Sequence, residues 1–348
     1  MNTNLKKYFP LLKTRKEIEE EIKNKDYLFK EFSEWNKEYQ DLFLDFCTGA
    51  KGIKMTYDVF FKELMNPEYH RERLEDLISC LLNCKVSIKE ILPADSTRIA
   101  DEVSLLITDI VVELEDGSIV NVEIQKIGFL FPGERCACYS ADLLLRQYKR
   151  VRNRKKELFS YRDIKTVYTI VFFEKSEAAF HDFPNEYIHQ GSNVFDTGLN
   201  LKLPQEYILI PLDIYKKKRH NYGITNKLDA WLAFLTQEDP EEIIELIDKY
   251  PEFMEIYQQL YDYCQNIEGV MEMFSKELHE LDKNTVKYMI EEQQAEIEEK
   301  QAEIEEKQAM IEQKQKELEK ERREKEQAQK KMEQEIKELK KQLEAFQK

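Results

Sequence analysis

Glycine is scarce in this chain, with 9 of 348 residues. None of the nine falls in a GxGxxG pattern, a Walker phosphate loop or a GxSxG nucleophile elbow, so nucleotide cofactors and acyl chemistry have no sequence support. Cysteine is also sparse. Cys47, Cys80, Cys84, Cys136, Cys138 and Cys264 form no paired CxxC set, which argues against a zinc ribbon or a disulfide framework and for reduced, mostly buried thiols. The five histidines (His70, His181, His189, His220, His279) lack ligand spacing. No apolar run is long enough to cross a bilayer, and the opening MNTNLKKYFPLLKTRKEIEEE holds no signal-like apolar segment. These absences predict a soluble, cytoplasmic protein without a membrane partner.

Charge is abundant, at 35% of residues, and acidic overall, with a formal net charge of -16. It is unevenly spread. Residues 294–348 hold 16 acids and 14 bases, so the preceding 293 residues carry 53 acids against 39 bases. An acidic head disfavours coating nucleic acid through bulk charge, although a local basic stripe would suffice to hold phosphates.

The periodicity divides the chain into four expected parts. Residues 1–50 form a charged, aromatic N-terminal helical segment. Residues 51–220 form the core, opening with two helices on either side of Asn66-Pro67 and then changing to period 2. Leu105–Leu114 and Ser118–Gln125 read as strands joined by Glu115-Asp116-Gly117. A helix is expected over Gly133–Arg152, a strand over Thr166–Phe173, and a last strand over Tyr207–Ile214, which Pro211 would place at an edge or end early. Residues 221–284 are a helical extension. The order predicts an α/β or α+β fold, a mixed sheet flanked by helices.

Residues 285–348 are a long coiled-coil tail. QAEIEEK occurs twice in succession, and Ile290, Ile297, Ile304, Ile311 and Leu318 recur every seven residues, the period of a left-handed supercoil. The partnering seam is half polar, with Gln294, Gln301, Gln308 and Gln315 in it. The expectation is a homo-oligomer of undefined number, with a solvated single helix as the alternative.

The sharpest chemical signal lies in IVNVEIQK, residues 119–126. A two-residue Asp116-Gly117 turn would leave Asp109 and Glu123 on opposite faces. A three-residue loop, with Gly117 in the left-handed position, would set Leu114 against Ser118 and Asp109 against Glu123. That second register also gathers Ile110, Val112, Leu114, Val120, Val122 and Ile124 on one face, and burial of that face selects it. The other face then holds Asp109, Glu113, Asn121, Glu123 and Gln125. The bland reading of those residues is the wet side of a hairpin.

An ordered set of motifs shifts that weight. DVFFK (Asp58 to Lys62), TDIVVELEDG with Asp109, VEIQ with Glu123 and Gln125, and RCACYSADLLLRQY with Arg135, Tyr139 and Gln147 resemble the PD-(D/E)XK nuclease superfamily, in its transposase-associated branch. The resemblance implies a restriction-endonuclease-like core and Mg²⁺- or Mn²⁺-dependent hydrolysis of DNA. It gives Asp109 and Glu123 as metal ligands, the Ile124 carbonyl as a further one, and Gln125 as the residue orienting water. Thr108 stands where the family name has proline. Gln125 stands where lysine is usual, and a carboxamide forms hydrogen bonds but cannot titrate. Lys126, next along the strand, would point to the opposite face, so Lys62 and Arg135 are the candidates for replacement charge. Asp58, Glu63 and Glu102 are further acids within reach in sequence, with Asp58 equally suited to capping a helix that begins at Val59.

The stripe RQYKRVRNRKK holds seven cations in eleven residues: Arg146, Lys149, Arg150, Arg152, Arg154, Lys155 and Lys156. Its expected role is salt-sensitive, sequence-independent contact with DNA phosphates, the alternative being a solvated basic helix end that complements the helix dipole. The resulting expectation is a metal-dependent DNA endonuclease oligomerised by its tail. The alternative is a catalytically silent nuclease fold that binds nucleic acid or protein.

Overall fold

Thr14 accepts from the Glu17 amide while its own amide donates to the Glu17 carboxylate, and this reciprocal cap starts α1 (Arg15–Lys23). After α2 (Asp26–Glu34), Asn36 caps α3 (Lys37–Cys47) through the Tyr39 amide. The computed structural model describes residues 5–93, 110–126 and 132–346. As expected, Asn66-Pro67 falls between α4 (Asp58–Leu64) and α5 (Arg71–Leu82).

The sheet follows, with β1 (Ile88–Leu92), β2 (Ile110–Leu114) and β3 (Ile119–Gln125), then α6 (Pro132–Lys155), β4 (Val167–Phe173), the short α7 (Ala178–His181), β5 (His189–Ser192) and β6 (Gln205–Pro211). Its spatial order is β1-β2-β3-β4-β6-β5. β3, β4 and β6 run parallel, whereas β1, β2 and β5 pair antiparallel with their neighbours. The helices α8 (Leu212–Tyr222), α9 (Lys227–Thr236), α10 (Pro240–Lys249), α11 (Phe253–Asp262) and α12 (Ile267–Phe346) complete the chain. This is the mixed, helix-flanked sheet that the sequence predicts.

Three strand expectations need correction. The last strand is Gln205–Pro211 rather than Tyr207–Ile214, because Pro211 ends it and Leu212 already belongs to α8. That strand lies inside the sheet, between β4 and β5, not at an edge; as the final residue, Pro211 interrupts no ladder behind it. β1 and β5 have no counterpart in the sequence reading. Both are short edge strands, and β5 (HQGS) has no apolar alternation to betray it. Of the first expected strand, residues 105–109 lie outside the described residues.

The hairpin has the three-residue loop. Ile110 faces Val122 and Glu113 faces Ile119, the Leu114 amide donates to the Ser118 carbonyl at 2.8 Å, and the Gly117 amide donates to the Leu114 carbonyl at 2.9 Å. Gly117 has φ +88, a region costly for any residue with a Cβ. Gly117→Ala is therefore expected to destabilise the fold by about 1–2 kcal/mol, and its added Cβ would also meet Lys165 Cγ at 3.2 Å. Urea denaturation checks this: an unchanged midpoint would refute the strained-turn account.

One sheet face carries Ile110, Val112, Val120, Val122, Ile124, Ile170, Phe172, Ile208 and Ile210 into the main core, which also contains Phe43 and Phe46 of α3, Phe60 of α4 and Phe274 of α12. The chain forms two compact units, residues 1–288 and 289–348. In the first, Val270, Met271 and Phe274 of α12 are buried. In the second, the heptad residues Ile290, Ile297, Ile304, Ile311 and Leu318 are all exposed. Among the described residues, no helix is long and apolar enough to cross a membrane.

Candidate active site

The second face of the sheet is not wet. Every residue of β2 and β3 is buried, because α6 lies across that face. Leu143 packs with Val111, Ile119 and Val167, and Cys136 packs with Val171, Phe173 and Ile214. The polar residues Glu113, Asn121, Glu123 and Gln125 are consequently buried, joined by Thr169, the register partner of Asn121 on β4. Solvated hairpin polarity was the bland expectation for these side chains, and the covering helix overturns it. A buried polar row is costly unless each group is paired or serves a ligand.

The two ends of this row are treated differently. Glu113 is neutralised by Lys89 of β1 at 2.7 Å and Arg150 of α6 at 2.5 Å, with Arg154 at 3.8 Å. At the other end, Gln125 Nε2 donates to Glu123 Oε1 at 3.4 Å, while the side-chain oxygen Oε1 of Gln125 is buried without a hydrogen-bond partner among the described residues. Arg135 donates to the Tyr139 hydroxyl at 3.1 Å. Burial first, and then the Glu123 charge, hold the Tyr139 phenol above its ordinary range, with Arg135 acting in the opposite direction. The same two causes push the Cys136 thiol up to about 12. Glu123, Gln125, Cys136 and Tyr139 thus form one buried cluster with the half-buried Arg135 beside it, where β3 ends and α6 begins.

Other expected residues lie around this point or away from it. Asp109 and Glu102 lie outside the described residues. Lys62, 3.6 Å from Asp58, lines a cavity of about 310 Å³ with Ile110, the first described residue of β2. Asp58 is the first residue of α4, not its cap. The capping role belongs to Glu277 of α12, whose carboxylate accepts from the Val59 amide at 3.2 Å. Lys126 faces away from Glu123, as alternation requires, and forms a buried ion pair with the same Glu277 while lying 4.1 Å from the centroid of the Tyr57 ring. Glu63 accepts from the Tyr263 hydroxyl at 3.4 Å. Gln147 lies further along α6, donating to the Gly117 carbonyl at 3.3 Å and accepting from the Lys165 amide at 2.9 Å. Its place is at the hairpin turn, not beside Glu123.

Since α6 begins near Gln125 and passes Gly117 before it ends, it runs back along β3. The basic stripe therefore lies at the turn end. Arg146 is held by Asp142 at 2.9 Å and donates to the Pro93 carbonyl at 2.8 Å, and Arg150 is committed to Glu113. Lys149, Arg152, Arg154, Lys155 and Lys156 are exposed. Sequence alone misses the two inward arginines because Glu113 is remote along the chain; only the i,i+4 pair Asp142–Arg146 could have signalled that part of the run is structural.

A divalent cation prefers oxygen ligands, and the buried Glu123 carboxylate beside the unsatisfied Gln125 Oε1 is an oxygen-rich environment of that kind. Among the described residues, no group of three or more His, Cys, Asp or Glu side chains is gathered as a metal site. No curated protein and no solved structure matches the chain. A family model described as PD-(D/E)XK nuclease family transposase matches residues 55–295. That span runs from the residues before α4 through the hairpin, the buried pocket and α6 into α12, and the chain accordingly belongs to the PD-(D/E)XK nuclease family transposases.

Proposed function

We propose that the chain is a DNA endonuclease that requires Mg²⁺ or Mn²⁺ and hydrolyses phosphodiester bonds at the pocket around Glu123. The observation that carries this reading is the hairpin register, in which the partner numbers at Ile110↔Val122 through Glu113↔Ile119 follow the three-residue loop. This is the register under which the sequence argument sets Asp109 against Glu123. In the proposal these two carboxylates hold the cation, with the Ile124 carbonyl as a further ligand. A bound cation would supply Lewis acidity towards the phosphate and a more acidic water.

The remaining work falls to the chain itself. Gln125 accepts a hydrogen bond from the attacking water through its buried Oε1 and so orients it without titrating. Arg135 is fixed by Tyr139 and supplies permanent positive charge near the reacting phosphate, with Lys62 on the β2 side as the second candidate. Lys149, Arg152, Arg154, Lys155 and Lys156 hold the DNA backbone. The exposed heptad isoleucines of the second unit support self-association of the tail, which would bring two pockets to one duplex.

A second reading, a catalytically silent fold that binds nucleic acid or protein, is favoured by one observation, the glutamine at position 125. Supercoiled plasmid incubated with the protein in Mg²⁺ or Mn²⁺, and in parallel with excess EDTA, separates the two. Nicking that appears with metal and disappears in EDTA is the expected result. DNA retention without nicking in either metal would replace the first reading with the second.

A further inference from the structure

Beyond the end of α6 the chain makes a feature that the nuclease reading does not use. Lys156 adopts a left-handed conformation, φ +51, which terminates the helix in the manner of a C-terminal cap and turns the chain back on itself. A short 3-10 turn (Tyr161–Asp163), capped by Ser160, then lies beside the helix it has just left. The Tyr161 ring is nearly parallel to that of Tyr148, at 10° and 6.2 Å between centroids. Phe159 contacts both rings edge-on, at 5.5 Å and 5.3 Å, and the Arg152 guanidinium lies 5.6 Å from the centroid of Tyr148.

The outer ring of this group is left in water, over the half-buried Tyr148 and Phe159. Tyr161 is 77% exposed and the neighbouring Leu158 86%, although burial of such side chains is favourable wherever the fold permits it. Its surroundings are cationic: residues 149–165 hold eight Lys or Arg against two acids. Arg150 is taken by Glu113, while the exposed Arg154 only approaches Glu113 at 3.8 Å and the exposed Lys155 pairs with Asp163 at 2.5 Å. Lys149, Lys156 and Arg162 form no ion pair with a carboxylate among the described residues, and Lys165 acts on Asp163 only from beyond ion-pair distance. An exposed ring set among unneutralised cations matches a strand that presents bare base faces along a phosphate backbone, since stacking needs an unpaired base and cations need phosphates. Duplex DNA offers only the second.

We propose that Tyr161, supported by Tyr148 and Phe159, is a stacking platform for unpaired bases of a DNA strand, with Lys149, Arg152, Lys156, Arg162 and Lys165 holding the phosphates on either side. Along α6, Tyr139 and the platform ring Tyr148 are nine residues apart, about 14 Å at 1.5 Å per residue, or about four base steps at 3.4 Å each. The platform thus selects DNA that is single-stranded about four nucleotides from Tyr139. This assignment rests on DNA being the substrate, and on neither Asp109, Glu123 nor a metal.

The test measures binding of full-length protein in EDTA by fluorescence anisotropy. The probes are an oligo(dT) 20-mer, an abasic strand of equal length and a 20-base-pair duplex, and the proteins are wild type, Tyr161→Ala and Tyr161→Phe. Wild type should bind oligo(dT) about tenfold more tightly than the abasic strand; Tyr161→Ala should lose that preference, Tyr161→Phe should keep it, and duplex affinity should not change among the three. A tenfold effect is the size expected of one base stacked on one ring. Equal affinity of wild type for oligo(dT) and the abasic strand would overturn the platform, as would an equal loss on duplex and single strand in Tyr161→Ala. Absence of nicking with the oligo(dT) preference intact would sink the nuclease reading and leave the platform standing.

Discussion

Glu123→Gln is expected to lower metal-dependent plasmid nicking by at least about a hundredfold, the scale on which removal of one group that stabilises developing charge is felt, while leaving the protein folded. The substitution keeps the shape of the side chain and removes only its charge. Glu123 is 6% exposed, and glutamine keeps an acceptor oxygen for the Gln125 Nε2 bond at 3.4 Å, so the melting temperature should change little as activity falls. That combination marks a functional group, because a residue retained for stability moves both quantities down together. Asp109→Asn should match it in nicking. Glu113→Gln provides the contrast: on the same face, at the turn end, it breaks ion pairs with Lys89 and Arg150, so its effect should fall on stability. Wild-type nicking rates in Glu123→Gln would remove this residue from the site.

Glu277→Gln should destabilise the fold by about 3–5 kcal/mol, the usual cost of removing one partner from a buried ion pair. The side chains of Lys126 and Glu277 are only 8% and 2% exposed, and the variant leaves the ammonium buried without its counter-charge. Glutamine can still accept from the Val59 amide, so the loss is assigned to charge and not to the cap of α4. Lys126→Met should cost a similar amount for the converse reason. In the double variant Lys126→Met/Glu277→Gln no uncompensated charge remains, and the combined loss should fall well short of the sum. Denaturant unfolding of the four proteins measures the cycle; strict additivity would refute a direct pair.

The hairpin was legible because one residue type determines it. Only glycine accepts the left-handed third position of the Glu115-Asp116-Gly117 loop cheaply, and the alternation of Ile110, Val112, Val120 and Val122 admits one register. Gln125 and Glu123 could likewise be placed on one face from spacing alone. What could not be read was the cover. Whether α6 lies over that face depends on packing of Leu143 and Cys136 against the strands, and period-2 patterning cannot distinguish a solvated polar face from one buried for chemistry. The division of the basic stripe was hidden for a similar reason: Arg150 and Arg152 look alike in sequence, yet Glu113, far back on β2, claims Arg150. β5 is an exposed edge strand held by backbone pairing, and in β1 only Ile88 is fully buried, so neither leaves a clear alternation in the sequence. Asp109 lies outside the described residues, so its place in the site rests on the register and on Glu123.

The pair Lys126–Glu277 also bears on where the gene can be shortened. The residue that follows Gln125 on the candidate catalytic strand is anchored by a carboxylate more than a hundred residues downstream, on the helix that later carries the heptads. A reading frame interrupted after residue 288 would lose the repeats and keep that anchor. One interrupted before 267 would take Glu277 with it, along with the Phe274 ring that packs on Trp35 and Phe43. Nonsense alleles in this part of the gene should therefore divide into two phenotypic classes, according to whether the anchor of the candidate catalytic strand is kept.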